Sequence, residues 1–223
     1  MFTIIFYEPI HHTPLIITDY RLLSVTFGDL LISFIYAIDV GSAVIMAAPG
    51  DVYERELKAL LAGDEKAIAK MVKTCNALET AAYNSMLTNP FLVIRAAGSL
   101  GVDLVALRWD FSFPIEVKSS ADDVLHFSKS QRLSEQADNM LDDCCKSHLV
   151  PIYAYRLKAF RGDPWRIFTI PTDHQFKGRN SILYRRIPKL ETSSSGNYIM
   201  RWENGMKLSD LILYAGMSDY SAD

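Results

Sequence analysis

Residues 93–119 read VIRAAGSLGVDLVALRWDFSFPIEVKS and decide the fold. Two short runs in this stretch, residues 102–107 and 113–118, are apolar and rich in β-prone side chains, so they predict a β-hairpin. Asp103 opens the first run, and Glu116 and Lys118 lie two residues apart in the second. Because side chains alternate across a strand, Glu116 and Lys118 project from one face, which Asp103 can also reach.

Two carboxylates and an ammonium group in one place suggest a metal site. Oxygen ligands suit Mg²⁺ or Mn²⁺, and such a metal beside a lysine is what phosphodiester hydrolysis requires. The alternative interpretation is a buried salt bridge between Lys118 and one of the two carboxylates, Asp103 or Glu116. The spacing of these residues alone favours neither interpretation.

Three further motifs accompany this stretch. A helix-like segment reads YERELKALL at residues 53–61, Arg95 and small residues precede the first strand, and WRIF occurs at residues 165–168. Together the motifs resemble the archaeal-type Holliday junction resolvases of the PD-(D/E)xK nuclease superfamily, over residues 51–170. The resemblance implies a restriction-endonuclease-like core and a homodimeric, Mg²⁺-dependent endodeoxyribonuclease that resolves branched double-stranded DNA.

The same resemblance implies roles for individual residues. Glu54 is expected to join Asp103 and Glu116 around the metal, with the backbone carbonyl of Val117 as a further ligand. Lys118 is expected to orient or activate the attacking water and to balance charge that develops on phosphorus. The candidate catalytic residues are therefore Glu54, Ser99, Asp103, Glu116 and Lys118.

Other residues are weaker candidates. Arg55 and Arg95 are expected to contact phosphates, since an arginine fork suits a phosphate next to the site. The Ser99 hydroxyl suits either a phosphate contact or a cap of its own loop. Gln131 and Gln136 follow the lysine strand and are candidates for holding water or phosphate, although glutamine is common on exposed helix faces.

Charge is distributed unevenly along the chain. The net charge of −3 does not indicate a nucleic-acid binder, but residues 152–189 carry nine Lys or Arg against two acids, whereas residues 1–90 carry six basic and ten acidic residues. The basic half predicts a phosphate-binding surface that includes Arg156, Lys158 and Arg161. The alternative is an ordinary solvated charged face.

Cysteines and hydropathy bear on the compartment. Three cysteines without zinc spacing form no disulfide framework, which is typical of a reducing cytoplasm. The apolar residues 22–48 are interrupted by Asp29 and Asp39, so no uncharged run is long enough for a membrane span. We therefore expect a cytoplasmic protein with no membrane partner.

The pattern predicts an α/β fold, with a mixed sheet flanked by helices. Residues 1–48 are interpreted as an N-terminal extension, with Met46 as a possible natural start. Residues 49–190 form the expected nuclease domain, in which residues 62–90 are a helical insertion and Asp51 is expected to cap the first helix. Residues 191–223, which begin with a Ser-rich linker, are interpreted as a C-terminal appendage.

Two alternatives to the resolvase remain open. One is a non-catalytic module that binds DNA structures on a nuclease fold, which the inserted helices and the unmatched C-terminus favour and the intact acidic residues and lysine oppose. The other is a repair or restriction-type nuclease of the same superfamily. Cleavage of a synthetic junction distinguishes the enzyme from the binding module.

Overall fold

The computed structural model describes residues 49–96, 102–127 and 131–217. Within these ranges we number the helices α1 (Pro49–Leu61), α2 (Glu65–Met71), α3 (Ala77–Ser85), α4 (Gln131–Ser147), α5 (Gly178–Arg186) and α6 (Leu208–Met217). The strands are β1 (Leu92–Arg95), β2 (Leu104–Leu107), β3 (Ser112–Ser120), β4 (Val124–His126), β5 (Ile152–Leu157), β6 (Trp165–Phe168), β7 (Glu191–Thr192), β8 (Tyr198–Arg201) and β9 (Met206–Lys207).

A six-stranded sheet with the order β1-β2-β3-β5-β6-β9 forms the centre of the fold. Its neighbours pair antiparallel except β3 and β5, which are parallel. A parallel pair needs a long crossover connection, and here the connection contains α4. The expected mixed sheet flanked by helices is confirmed. A small antiparallel sheet, β4-β8-β7, is separate from it.

Each face of the large sheet is covered by its own hydrophobic core. Leu57, Leu60 and Leu61 of α1 pack with Ile115 and other inward residues of the strands on one face. On the other face, Ala137, Met140 and Cys144 of α4 pack against Tyr153 and Tyr155 of β5. We call these the α1 face and the α4 face. Alternation places Glu116 and Lys118 on the α4 face, in register with Tyr153 and Tyr155.

The helical insertion is tied into the domain through Asp163. This residue is 1% exposed. Its Oδ1 accepts hydrogen bonds from the Tyr83 hydroxyl of α3 at 2.9 Å and from the Trp165 amide at 3.0 Å. Its Oδ2 accepts from the Ser209 amide of α6 at 2.9 Å. One buried carboxylate therefore joins the insertion, the sheet and the last helix.

Local expectations differ from the structure at two places. The first helix begins at Pro49, so Asp51 lies within it and is not its N-cap. The Ser-rich segment expected to be a linker is the turn of the β7–β8 hairpin, where the Ser193 amide donates to the Asn197 carbonyl at 2.8 Å. Downstream of it, β9 pairs with β6, and α6 contributes Leu208, Leu211 and Ile212 to the core of the α1 face.

Several expectations fall outside the description. Residues 1–48, including the proposed start at Met46, lie outside the described ranges, as does Ser99. The domain boundaries proposed from the sequence stay predictions. None of the helices in the described ranges is long and apolar enough to cross a lipid bilayer.

Replacing Asp163 with alanine should destabilise the protein strongly. The change leaves the Tyr83 hydroxyl and two backbone amides without their partner, and each such loss costs about 1–3 kcal/mol. We expect a loss of about 3–5 kcal/mol in the free energy of unfolding, measured by urea denaturation. The exposed Asp173→Ala is the matched control and should change this free energy by less than about 0.5 kcal/mol. An Asp163→Ala value close to that of the control would contradict the proposed role.

Candidate active site

Asp103 lies directly before β2 and extends the pairing of β2 with β3. The last paired residues of the two strands are Leu104 and Ile115. Beyond them the Asp103 amide donates to the Ile115 carbonyl at 3.0 Å, and Asp103 Oδ2 accepts from the Val117 amide at 2.7 Å. The carboxylate thus occupies the position of the next carbonyl in the ladder, which fixes its orientation beside β3.

Val117 presents its carbonyl to the same side. In an antiparallel ladder the N–H and C=O groups of one residue point toward the same neighbouring strand. Since the Val117 amide reaches Asp103, its carbonyl is directed to the β2 side, past the end of that strand. The Val117 carbonyl is therefore expected near the Asp103 carboxylate, and its role as a metal ligand stays a prediction.

Glu116 lies one residue away, buried beneath α4. It is 2% exposed. Its Oε1 accepts from Lys118 Nζ at 2.6 Å and from Gln136 Nε2 of α4 at 2.9 Å. Its Oε2 is buried and has no hydrogen-bond partner among the described residues. Native proteins rarely leave such an atom unsatisfied, and the exceptions often mark a functional site or an ion that is not present.

Burial also changes the acidity of Glu116. Desolvation raises the pKa of its carboxyl to about 7, and the nearby Asp103 carboxylate adds to the increase, while Lys118 acts in the opposite direction. A carboxyl with a pKa near neutrality, in a cluster with a second acid and a lysine, is typical of functional sites. A divalent cation at Oε2 would favour the ionised form.

The residues of the site suit a cation that needs few protein ligands. Mg²⁺ is commonly held by one or two carboxylates, with water and substrate oxygens completing its shell. Asp103, Glu116 and the Val117 carbonyl carry oxygen atoms of the kind that such a cation binds, and Glu116 Oε2 has no hydrogen-bond partner among the described residues. Their role as metal ligands stays a prediction. No group of three or more His, Cys, Asp or Glu side chains within the described ranges has the geometry of a metal site.

Glu54 is not brought into a common group with Asp103 and Glu116. It lies on α1, where its Oε2 accepts from Arg95 at 2.7 Å. Arg95 is opposite Leu104, whose side chain belongs to the core of the α1 face, whereas Glu116 faces α4. The metal role implied for Glu54 stays a prediction, and so does the phosphate contact of Arg95. Arg55 is exposed on α1.

The basic half of the chain is only partly a surface. Arg166 is 7% exposed, and its guanidinium donates to the Asp163 carbonyl and stacks on the Trp202 ring at 3.7 Å. Lys189 donates to the carbonyls of Tyr184, near the end of α5, and of Ile187, directly after that helix. The sequence count therefore overstates the positive surface, because these two cations satisfy internal groups.

Of the three residues expected to bind DNA, Arg156 lies near the end of β5, and Lys158 and Arg161 follow that strand. The contacts of Arg156 with α1 place it on the α1 face, opposite to Glu116 and Lys118. Arg156 is opposite Ser119, one residue past Lys118; it donates to Glu56 at 2.8 Å and stacks over the Tyr53 ring at 4.7 Å. Lys158 lies 5.8 Å from the same ring, and Arg161 is exposed. The Arg156 charge is thus partly balanced by Glu56.

Gln136 contacts Glu116 directly. The sequence makes it only a minor candidate, because exposed glutamines are common on helices, yet its side-chain amide donates to the Glu116 carboxylate. Tyr153, which the sequence did not suggest, is fully buried opposite Glu116. Burial raises the pKa of Tyr153, and the Glu116 carboxylate adds to this effect. The side chain of Gln131 lies outside the description.

Comparison with known proteins gives a likeness in structure and no match in sequence. No protein-family model matches the chain, and no curated protein matches it in sequence. Among solved structures, the chain is similar to Hjc, a Holliday junction resolvase from the hyperthermophilic archaeon Archaeoglobus fulgidus. The alignment covers 74% of this chain and 96% of that chain, with 17% sequence identity and a TM-score of 0.43. The functional argument below therefore rests on the residues of this chain.

Glu116 should make the metal-free protein less stable as the pH rises. Its pKa is about 7 in the folded protein against 4.5 as the ordinary value, so the folded state holds the proton more tightly and stability falls between these two pH values. Glu116→Gln removes this dependence. We expect the variant to exceed wild type by about 3 kcal/mol at pH 8 and by little at pH 4.5.

The measurement is urea unfolding of both proteins between pH 4.5 and 8 in the presence of EDTA. The exposed Glu203→Gln serves as the control and should differ from wild type by the same small amount throughout. A constant difference between Glu116→Gln and wild type would show that the carboxyl titrates as an ordinary exposed glutamate.

Proposed function

We propose that this protein is a metal-dependent endodeoxyribonuclease that resolves four-way DNA junctions, with its active site at Asp103, Glu116 and Lys118. One observation carries the proposal: the hairpin and α4 bring two carboxylates and an amine together and leave Glu116 Oε2 buried without a partner. A buried salt bridge alone would explain the Lys118 contact. It would not explain a second carboxylate oxygen that faces no donor.

The proposed chemistry divides among few groups. Asp103, Glu116 and the Val117 carbonyl hold the cation, and Mg²⁺ or Mn²⁺, when bound, would polarise a phosphate oxygen and lower the pKa of bound water. Gln136 keeps the Glu116 carboxylate in place from α4. Lys118, whose side chain is 15% exposed, is close enough to solvent to orient the attacking water and to stabilise negative charge on phosphorus.

The proposed substrate is branched double-stranded DNA. Arg156, Lys158 and Arg161 would neutralise phosphates around the end of β5, and recognition would depend on DNA shape rather than on base sequence. A homodimer, suggested by the resemblance of the sequence motifs, would place two such sites on opposed strands. Glu54 on α1 is proposed to complete the acidic cluster around the metal. Arg55 on α1, Arg95 on β1 and Ser99 are proposed as phosphate contacts.

Asp103→Asn and Glu116→Gln should each abolish cleavage while leaving junction binding largely intact. The amides are close in shape to the carboxylates but are poor Mg²⁺ ligands, so we expect a rate loss of at least about 100-fold. Lys118→Ala should lose most activity without losing metal binding. Cleavage of a labelled synthetic junction is followed on denaturing gels, and binding is followed by gel shift in Ca²⁺ or EDTA.

Glu65→Gln on α2 is the control for these variants, because it removes an exposed carboxylate far from the hairpin in sequence. It should cleave as wild type does. Near-normal cleavage by Asp103→Asn or Glu116→Gln would remove the site assignment. Junction binding by wild type without cleavage in Mg²⁺ or Mn²⁺ would instead favour the non-catalytic binding module.

Junction affinity should fall steeply with salt if the basic end of the sheet binds phosphates. Neutralised phosphates release counterions, so we expect a loss of at least about ten-fold between about 50 and 200 mM NaCl. Arg161→Glu should weaken binding and reduce the salt slope without moving the cut site. Lys146→Glu is the matched charge reversal, since Lys146 is 73% exposed and lies in the last turn of α4. Equal effects of both reversals would contradict a localised surface.

A further inference from the structure

A cleft lies at the opposite end of β3 from the candidate active site. It encloses about 300 Å³ and is lined by residues of the β2–β3 connection and of the segment that enters α5, chiefly Arg108, Trp109, Asp110, Lys177, Arg179 and Asn180. Ser112 at its edge is four residues from Glu116, which corresponds to ~13 Å along a strand. The cleft is therefore separate from the proposed chemistry.

The floor of the cleft is a closed internal ion pair. Arg108 binds both oxygens of Asp110, at 2.6 and 2.7 Å, and also donates to the carbonyls of Asn89 and Ala215. The side chains of Arg108 and Asp110 are 5% and 0% exposed. These two charges cancel and are fully engaged, so they give the cleft a rigid base and no net charge.

Arg179 is a second cation that this base does not satisfy. Its NH1 is buried and has no hydrogen-bond partner among the described residues. The nearest acid, Asp110, is 4.0 Å away and already holds Arg108. The Arg179 side chain as a whole is 37% exposed, so its guanidinium can donate to an oxygen of a ligand in the cleft.

Two further features add positive potential beside Arg179. Lys177 is exposed and lies at the N-cap of α5, and its side chain makes no capping hydrogen bond. The first turn of this helix contains no acidic residue. Its amide groups and dipole therefore favour an anion at the same place as the Arg179 guanidinium.

Trp109 supplies a flat apolar surface at the mouth of the cleft. Its side chain is exposed, with a relative accessibility of 72%, and the Arg179 guanidinium lies 5.2 Å from the ring centre. The other two tryptophans of the chain, Trp165 and Trp202, are buried. An exposed aromatic ring beside a phosphate-binding cation is the arrangement on which unpaired nucleotides stack.

We propose that this cleft binds a nucleotide, with its phosphate at Arg179 and Lys177 and its base stacked on Trp109. An anion site alone, or an aromatic surface alone, would not indicate a nucleotide. A nucleotide carries a phosphate and a flat base close enough together to contact Arg179 and Trp109 at the same time. An unpaired strand and a free mononucleotide present the same chemistry. The proposal does not depend on the proposed nuclease activity, because it uses none of the active-site residues.

The test uses the full chain in EDTA, so that no cleavage occurs, and fluorescein-labelled octathymidylate as the probe in fluorescence anisotropy. Arg179→Gln and Trp109→Ala should each weaken binding by at least about ten-fold. Arg185→Gln is the matched control, since Arg185 is an exposed arginine of the same helix that lies outside the cleft, and it should stay within about two-fold of wild type. Thermal unfolding confirms that each variant is folded.

Competition identifies the occupant. Thymidine monophosphate should displace the probe and quench Trp109 fluorescence, a signal that Trp109→Phe should lose, whereas inorganic phosphate should compete much more weakly. If unlabelled octathymidylate competes at least about ten-fold better than thymidine monophosphate, the occupant of the cleft is a strand. If the two compete equally well, the occupant is a free nucleotide. The proposal is overturned if folded Arg179→Gln or Trp109→Ala binds as Arg185→Gln does, or if inorganic phosphate competes as well as the mononucleotide.

Discussion

A buried carboxylate between a strand and a helix is the constraint on which the candidate site depends. Glu116 lies on the face that α4 covers, and an acid in such a place is tolerated only when donors surround it. Lys118 from the same strand and Gln136 from the helix both bond one of its oxygens. The other oxygen has no donor among the described residues, which leaves the site with an unmet requirement that a cation can satisfy. The buried, unpaired oxygen of Glu116 therefore lowers the stability of the fold at the position where the proposed chemistry needs a metal ligand.

The parallel pairing of β3 and β5 sets this arrangement. Because these strands run in the same direction, the chain must cross from the end of β3 to the start of β5, and α4 makes part of this crossing over the face that carries Glu116 and Lys118. The antiparallel partner of β3 on the other side, β2, begins at Leu104. Asp103 directly precedes it in the chain, and its carboxylate accepts the next hydrogen bond from β3. Two different neighbours of β3 thus supply the helix cover and the second acid.

A second buried carboxylate, Asp163, connects segments of the chain that are distant in sequence. The helices inserted after α1 and the helix at the end of the described chain are far apart in sequence, yet both reach the same carboxylate. This explains why residues that looked like additions to a smaller core are packed into it. The local pattern predicted helices within residues 62–90, because helix periodicity is a local signal. It did not predict that α3 and α6 meet, because that depends on which apolar faces remain uncovered once the sheet has formed.

The sequence by itself determined the local elements and the chemistry that they carry. Period-two alternation fixed that Glu116 and Lys118 share a face, and the apolar runs around Asp103 fixed a hairpin, since both follow from backbone geometry. Only the tertiary structure decided which charged groups are engaged within the protein and which are left to bind a ligand. Arg166 is enclosed and Glu54 is paired with Arg95, whereas Glu116 Oε2 and Arg179 NH1 have no hydrogen-bond partner among the described residues. Burial and the identity of a charged partner arise from contacts between distant segments, and no local pattern of residues contains them.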